Sequence, residues 1–296
     1  MRKMTRREKT VDILYIAMMI LPILFCIVLK VLTTPASSGI SISGARVYFT
    51  INMPIQKLLI TESQINSAAV IIAVFFLCLY LTHGISEGVW LKRHHFAELI
   101  VEKSTKMVVG NMGEYFRSFS PFIAAIMALS GFSSLITLFG LYPPTSDLNI
   151  VAGWAILVFI LITYYKMKCG PIEYIKSFAN PPLMAPLNVI SEIATPVSMA
   201  FRHYGNVLSG SVISVLVATG LQGLSRLIFG FLPGVLGEFP FLQVGLPAIL
   251  SIYFDIFSGC LQAFIFAMLT MLYIAGGFPL DLYNERKAKK AHSAKK

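Results

Sequence analysis

The chain has 296 residues, 56% of them hydrophobic and only 13% charged. So few charged residues cannot coat a water-soluble protein of this size, and the long apolar runs lack the ~10-residue alternation of transmembrane barrel strands. The net charge of +10 is gathered at 1–9, 91–95, 166–176 and 284–296, each beside an apolar run; that is the pattern of cytoplasmic segments facing an anionic leaflet, and it argues against nucleic acid as a partner.

The expected fold is therefore all-α and polytopic, with about six membrane helices in one unit and no linker or internal repeat. Residues 1–64 form an N-terminal anchor and external segment, and 65–296 form the main domain with a basic tail. The basic start and apolar run to about residue 31 are shaped like a signal peptide. The run is long for one, however, and TTPASSG is a poor cleavage site, so a retained helix over about 11–31 is expected. Residues 32–64 follow outside, and a second helix (about 66–90) returns inward to Lys92 and Arg93. Residues 95–109 have the pattern of an amphipathic surface helix, with Phe96, Leu99, Ile100 and Met107 on one side and Glu102 and Lys106 as a candidate i,i+4 pair.

A third helix (about 119–141) runs outward and is stopped by Pro143 and Pro144, and a fourth (about 148–167) returns to Lys166 and Lys168. The last two apolar stretches, 183–232 and 241–276, are too long for upright spans. At ~1.5 Å per residue they reach roughly 75 and 54 Å, against a hydrocarbon core of ~30 Å. Either each hides a break or the pair is steeply tilted; a tilted hairpin turning at 231–240 is the expected arrangement. Both termini are then cytoplasmic, because both are basic.

Arg202 stands inside the first of these stretches, far from either end, with no acidic residue within a helical turn. An arginine at the centre of a spanning helix costs about 3 kcal/mol on insertion scales, so its counter-charge must lie elsewhere in the fold or on another protein. On a helix it shares a stripe with Asn188, Thr195, Ser198, Asn206 and Ser209. Interhelical hydrogen bonding accounts for the serines taken singly, but not for a guanidinium. Gly205 and Gly210 allow another helix to approach closely.

In the final helix Asp255 and Gln262 are two α-turns apart, with Ser251 and Ser258 near them. An intramembrane carboxylate marks an ion path more often than a structural bond. Asp147 reads either as an ion-path residue with Asn149 or as the N-cap of the fourth helix; Glu192 is either an ion-path or a merely interfacial carboxylate. His203 points about 100° away from Arg202 and reads equally as a group supporting it or as a packed histidine. Cofactor and metal sites are not expected. There is no Gly-Lys pair for a phosphate loop, His94-His95 lacks metal spacing, and Cys26, Cys78, Cys169 and Cys260 read as small buried side chains.

The segment PLNVISEIATPVSMAFRHYGNVLSG (186–210), with LQAFIFAMLTMLYI (261–274) and PPTSDLN (143–149), resembles the subunit a family of F-type ATP synthases over about residues 65–280. That resemblance implies an ion-conducting membrane stator, without a catalytic site of its own, in a bacterial plasma membrane. Its partners would be the rotating c-subunit ring, the subunit b peripheral stalk and the soluble ATPase sector. Arg202 would be the essential arginine facing the ring carboxylates, and the two long helices would form a hairpin against the ring. Asn206 and Gln262 match polar positions that accompany it. Ser211 and Asp255 depart from the family, where Glu or His is frequent, so Asp255 would carry the titratable chemistry of the outer half-channel and Ser211 would relay through water. The ion, H+ or Na+, is not specified. The alternatives are a secondary transporter that binds an anionic substrate at Arg202, for which no inverted repeat is evident, and an intramembrane enzyme, for which no nucleophile and base stand in register.

Overall fold

The computed structural model describes residues 6–33, 44–54, 57–85, 92–169, 171, 174, 185–231, 242 and 245–278. The expected turn at 231–240, apart from its first residue, lies outside them, as do Lys176 and the basic tail 284–296. Apolar runs in lipid have to satisfy their own backbone polar groups, and helices do so within one segment. Six helices among the described residues are long and apolar enough to cross a membrane: Arg7–Thr33, Glu62–Thr82, Glu114–Phe139, Leu148–Lys168, Ala185–Phe229 and Ile252–Gly276. The all-α, polytopic expectation holds.

Helix α1 (Arg6–Thr33) is longer than expected at both ends. The external segment carries a hairpin that the sequence did not suggest: β1 (Val47–Ile51) pairs antiparallel with β2 (Leu58–Thr61), and β2 leads directly into α2 (Glu62–Thr82). α2 begins four residues before the expected residue 66, because the Thr61 N–H donates to Gln64 Oε1 at 3.4 Å and closes its first turn. It ends at Thr82 rather than near residue 90, since Gly84, at φ +91°, takes the chain into a left-handed turn. Asp12 of α1 accepts from Arg93 Nη1 at 2.7 Å and stands 2.8 Å from His83 Nδ1. Arg93 also lies 4.5 Å over the Tyr80 ring. This knot ties the start of α1 to the end of α2 and to α3 (Lys92–Met112).

α3 is the expected amphipathic element. Phe96, Leu99 and Ile100 are exposed and Lys106 pairs with Glu102, but Met107 turns inward and packs on the core beside Val108. α4 (Ser120–Leu135) passes into a 3-10 turn, Ile136–Phe139, and ends at Gly140 with φ +70°. The left-handed glycine therefore stops it before Pro143 can. α5 is Leu148–Cys169, and α6 (Ala185–Phe229) is one unbroken helix of 45 residues that includes Pro196. The final stretch changes helical form without leaving the helix: α7 (Leu246–Ser251) passes into a π-helical segment, Ile252–Ser258, and then into α8 (Gly259–Gly276).

The core lies between α3, α4, α5 and α8, where Val108, Ile123, Val158, Ala267, Met271 and Ile274 are all fully buried. Met199 and Ala200 join it from α6. A second cluster, Cys26, Ala69, Val70, Ile136 and Leu141, joins α1 and α2 to the end of α4. Cys78 and Cys260 are exposed rather than buried, which costs a thiol nothing against lipid. Most of α6 is uncovered, and Ile190, Ile193, Val197, Phe201 and Leu216 stand out from the bundle.

Candidate functional site

Arg202 is exposed on the uncovered side of α6, together with Ser198, Asn206 and Ser209, while Asn188 and Thr195 on the same stripe are half-buried. Among the described residues no carboxylate lies within ion-pair distance of Arg202, and no hydrogen bond joins Ser198 or Ser209 to another helix. Interhelical bonding inside the chain therefore does not explain those two serines. Asn206, one turn beyond Arg202, donates from Nδ2 to Gln262 Oε1 at 2.6 Å. Gln262 is only 2% exposed, so this bond fixes the stripe of α6 to the interior of α8. Close packing by glycine is realised at Gly210, where a Cβ would meet the Phe254 ring at 3.0 Å; Gly205 faces open space.

Glu192 lies ten residues before Arg202, roughly 15 Å along the helix. Lys166 Nζ donates to both its oxygens at 2.7 and 2.8 Å, and the Tyr174 hydroxyl donates at 3.2 Å. Burial, then the Glu192 charge, pushes the Tyr174 phenol above its ordinary range, so it remains a proton donor. Lys166 stood in the sequence only as a basic flank. Its pairing depends on α5 lying against α6, which no local pattern reveals.

On the other side of Arg202, Ser211 is exposed and its hydroxyl donates to its own helix, at the Leu208 carbonyl, 2.8 Å away. Asp255 is half-buried in the π segment, where α spacing no longer relates it to Gln262; its neighbour Phe254 packs against Gly210 of α6. π segments inside helices are frequent at functional positions.

Asp147 is the N-cap of α5, accepting the Asn149 N–H at 3.0 Å through Oδ1, and its other oxygen accepts from Ser63. The Asn149 side chain is exposed and lines a groove of about 600 Å³ with Met53, Lys57 and Gln64. Beside this cap lies a polar cluster that the sequence did not indicate. Glu62, 3% exposed, stands 3.5 Å from Lys30 and accepts the Tyr142 N–H at 3.4 Å, while Asn66 donates to the Tyr142 carbonyl at 2.8 Å. Burial first, and then Asp147, pushes the Tyr142 phenol upward.

His203 is fully buried. Its ring stands edge-on to Trp154 and Phe266 at 6.1 and 5.5 Å, and Nε2 lies 3.3 Å from Ser130 Oγ. Neighbours in sequence, Arg202 and His203 serve opposite sides of α6. Serines 130, 133 and 134 inside an apolar run were the sequence signal for this interior polarity. Among the described residues no three His, Cys, Asp or Glu side chains form a metal cluster.

A family model described as ATP synthase A chain matches residues 64–275, a span that holds Arg202, Asn206, Gln262, Asp255, Glu192 and His203 but not Lys30, Met53, Lys57, Glu62 or Ser63. The chain is 33% identical over 212 residues to ATP synthase subunit a 3 of Pelobacter propionicus, covering 70% of this chain and 83% of that one. It is 33% identical over 188 residues to ATP synthase subunit a of Trichlorobacter lovleyi, covering 62% and 72%. With ATP synthase subunit a 1 of Chlorobaculum parvum the identity is 29% over 199 residues, covering 66% and 78%.

Proposed function

This chain belongs to the ATP synthase A chain family, and from that premise we propose that it conducts ions past a rotating ring of c-subunits through two aqueous half-channels. Being a multi-pass subunit of the F-type ATP synthase membrane sector, it serves the stator. The finer reading places both termini on the cytoplasmic side of a bacterial plasma membrane, with the ring, the subunit b peripheral stalk and the soluble ATPase sector as partners. The long final helices form the tilted hairpin against the ring.

The observation that carries this reading is the exposed guanidinium of Arg202 on a 45-residue apolar helix, unpaired among the described residues. A charge there needs a counter-charge, and a ring carboxylate passing the uncovered side of α6 supplies one. Coulomb attraction favours the ionised carboxylate as it arrives, so that it gives up its ion. The fixed positive charge also bars cations from crossing directly between the half-channels. Asn206, held by Gln262 at 2.6 Å, keeps the stripe in place behind the arginine. Asp255 and Ser211 serve the outer half-channel, with Asp147 and Asn149 at its mouth; Glu192, paired with Lys166, lies on the inner route. His203 supports the site from inside the bundle.

The test is Arg202→Ala in the intact complex, reconstituted into vesicles. ATP-driven ion pumping and ATP synthesis should both be lost while the complex still co-purifies with its ring. Coupled activity near the normal rate would remove Arg202 from this role.

A further inference from the structure

The β1–β2 hairpin precedes residues 64–275, so the family match does not account for it. It is fixed to the ends of two membrane helices. The Glu62 N–H, at the start of α2, donates to the Arg46 carbonyl at 2.7 Å, and the Tyr48 phenol lies beside the side chain of Thr33, the last residue of α1. β2 itself runs into α2 without an intervening residue. The hairpin therefore stands at the edge of the hydrocarbon layer, on the side opposite the start of α1. Its pairing gathers apolar side chains on one face. Phe49 is opposite Ile60 and Ile51 opposite Leu58, so by the two-residue period of strands these four project together. Phe49 is 58% exposed, Ile51 45% and Leu58 43%, which leaves this face uncovered by the described residues.

A two-stranded hairpin is marginal in water and needs its apolar face packed on something. Charge indicates what that is. Residues 31–61 contain no Asp or Glu, but they do contain Arg46 and Lys57. At the turn, Lys57 lines the open groove of about 600 Å³ together with Gln64 of α2, Asn149 of α5 and the apolar Met53, Pro54 and Leu59. The carboxylates of this end are engaged elsewhere, Glu62 beside Lys30, and Asp147 with Ser63 and the Asn149 N–H. Among the described residues no carboxylate pairs with Lys57. An apolar face flanked by cations at the height of the headgroups is the pattern of an element that lies in a membrane surface. We propose that the hairpin inserts its Phe49, Ile51, Leu58 and Ile60 face into the adjoining leaflet, the outer one in the orientation given above, and that the groove at its turn holds the headgroup of an anionic phospholipid. The Lys57 ammonium and the Gln64 amide nitrogen donate to the phosphate, while the Gln64 oxygen stays on the Thr61 N–H. Met53, Pro54 and Leu59 cover the start of an acyl chain. Lipid fits better here than a protein partner, because Val31 and Leu32 at the same end of α1 are also exposed and apolar. The site depends neither on Arg202 nor on a rotor.

The test uses the whole complex in vesicles of equal parts phosphatidylglycerol and phosphatidylcholine, with Phe49 replaced by the photo-crosslinker p-benzoylphenylalanine. On illumination this chain should gain phospholipid adducts, read by mass spectrometry of the separated subunit. Phosphatidylglycerol should exceed phosphatidylcholine among them by about fivefold, the preference that one lysine near an anionic surface confers. Lys57→Gln should bring the two lipids to parity, and Lys57→Arg should keep the preference. Excess inorganic phosphate should leave it unchanged, since the site takes a lipid; a preference abolished by phosphate would show a free-anion site instead. A crosslink to another subunit, or no adduct at all, overturns the insertion. Equal adducts of both lipids with Lys57 intact, or a preference indifferent to Lys57→Gln, overturns the headgroup site. Where Lys57→Gln does not assemble, the Phe49 crosslink with Lys57 intact decides both insertion and lipid preference by itself.

Discussion

Gly259→Ala is the change whose consequence can be worked most directly from the packing. The added Cβ would stand 2.6 Å from the Ser134 Cβ, a backbone-anchored atom that cannot swing aside. Carbon atoms prefer separations near ~3.8 Å, so α8 must withdraw from α4 by about 1 Å. Overpacking of this kind costs about 1–3 kcal/mol, and a clash between two Cβ atoms belongs near the upper end. Alanine regains about 1 kcal/mol of helix propensity over glycine, which leaves a net loss of about 2 kcal/mol. That is a fall of about 4–8 °C in the melting temperature of the purified protein, by the scaling of domains of comparable size. Function should suffer as well. Gln262 lies one turn beyond Gly259, and a 1 Å withdrawal is enough to break its 2.6 Å bond with Asn206. ATP-driven pumping should therefore drop in the same variant. Ser134→Gly removes the opposing atom, so in a double-mutant cycle Gly259→Ala should cost much less in that background. An unchanged melting temperature, or equal losses in both backgrounds, would refute the packing argument.

Glu192→Gln strands the Lys166 ammonium, whose side chain is only 23% exposed, and should destabilise the protein by about 1–3 kcal/mol. Lys166→Met combined with Glu192→Leu should recover most of that loss in thermal unfolding, because an apolar pair replaces the ion pair; a double variant no more stable than the single one argues against the pairing. Asp255→Asn should slow ATP-driven ion flux several-fold in an assembled complex, and normal flux would reduce Asp255 to a structural residue of the π segment.

Chemical character was legible in the sequence. Apolar runs gave the membrane helices, because backbone in lipid has few alternatives, and Arg202 stood out because a charge in such a run is costly wherever the chain folds. Helical periodicity also placed Asn206 on the arginine's stripe and turned His203 away from it. What periodicity leaves open is the neighbour on each side. Nothing local paired Asn206 with Gln262 or Lys166 with Glu192, because those contacts join residues 56 and 26 positions apart through the packing of α6 on α8 and α5. Helix ends and the change of helical form escaped for a related reason. A left-handed turn at Gly140 and a π segment around Asp255 are backbone choices made against tertiary contacts, and apolar composition cannot distinguish them from continuous α-helix. The sequence by itself determined which groups must be accommodated within the membrane; the tertiary structure decided which of them meet, because burial and pairing depend on surfaces that only the packed helices bring together.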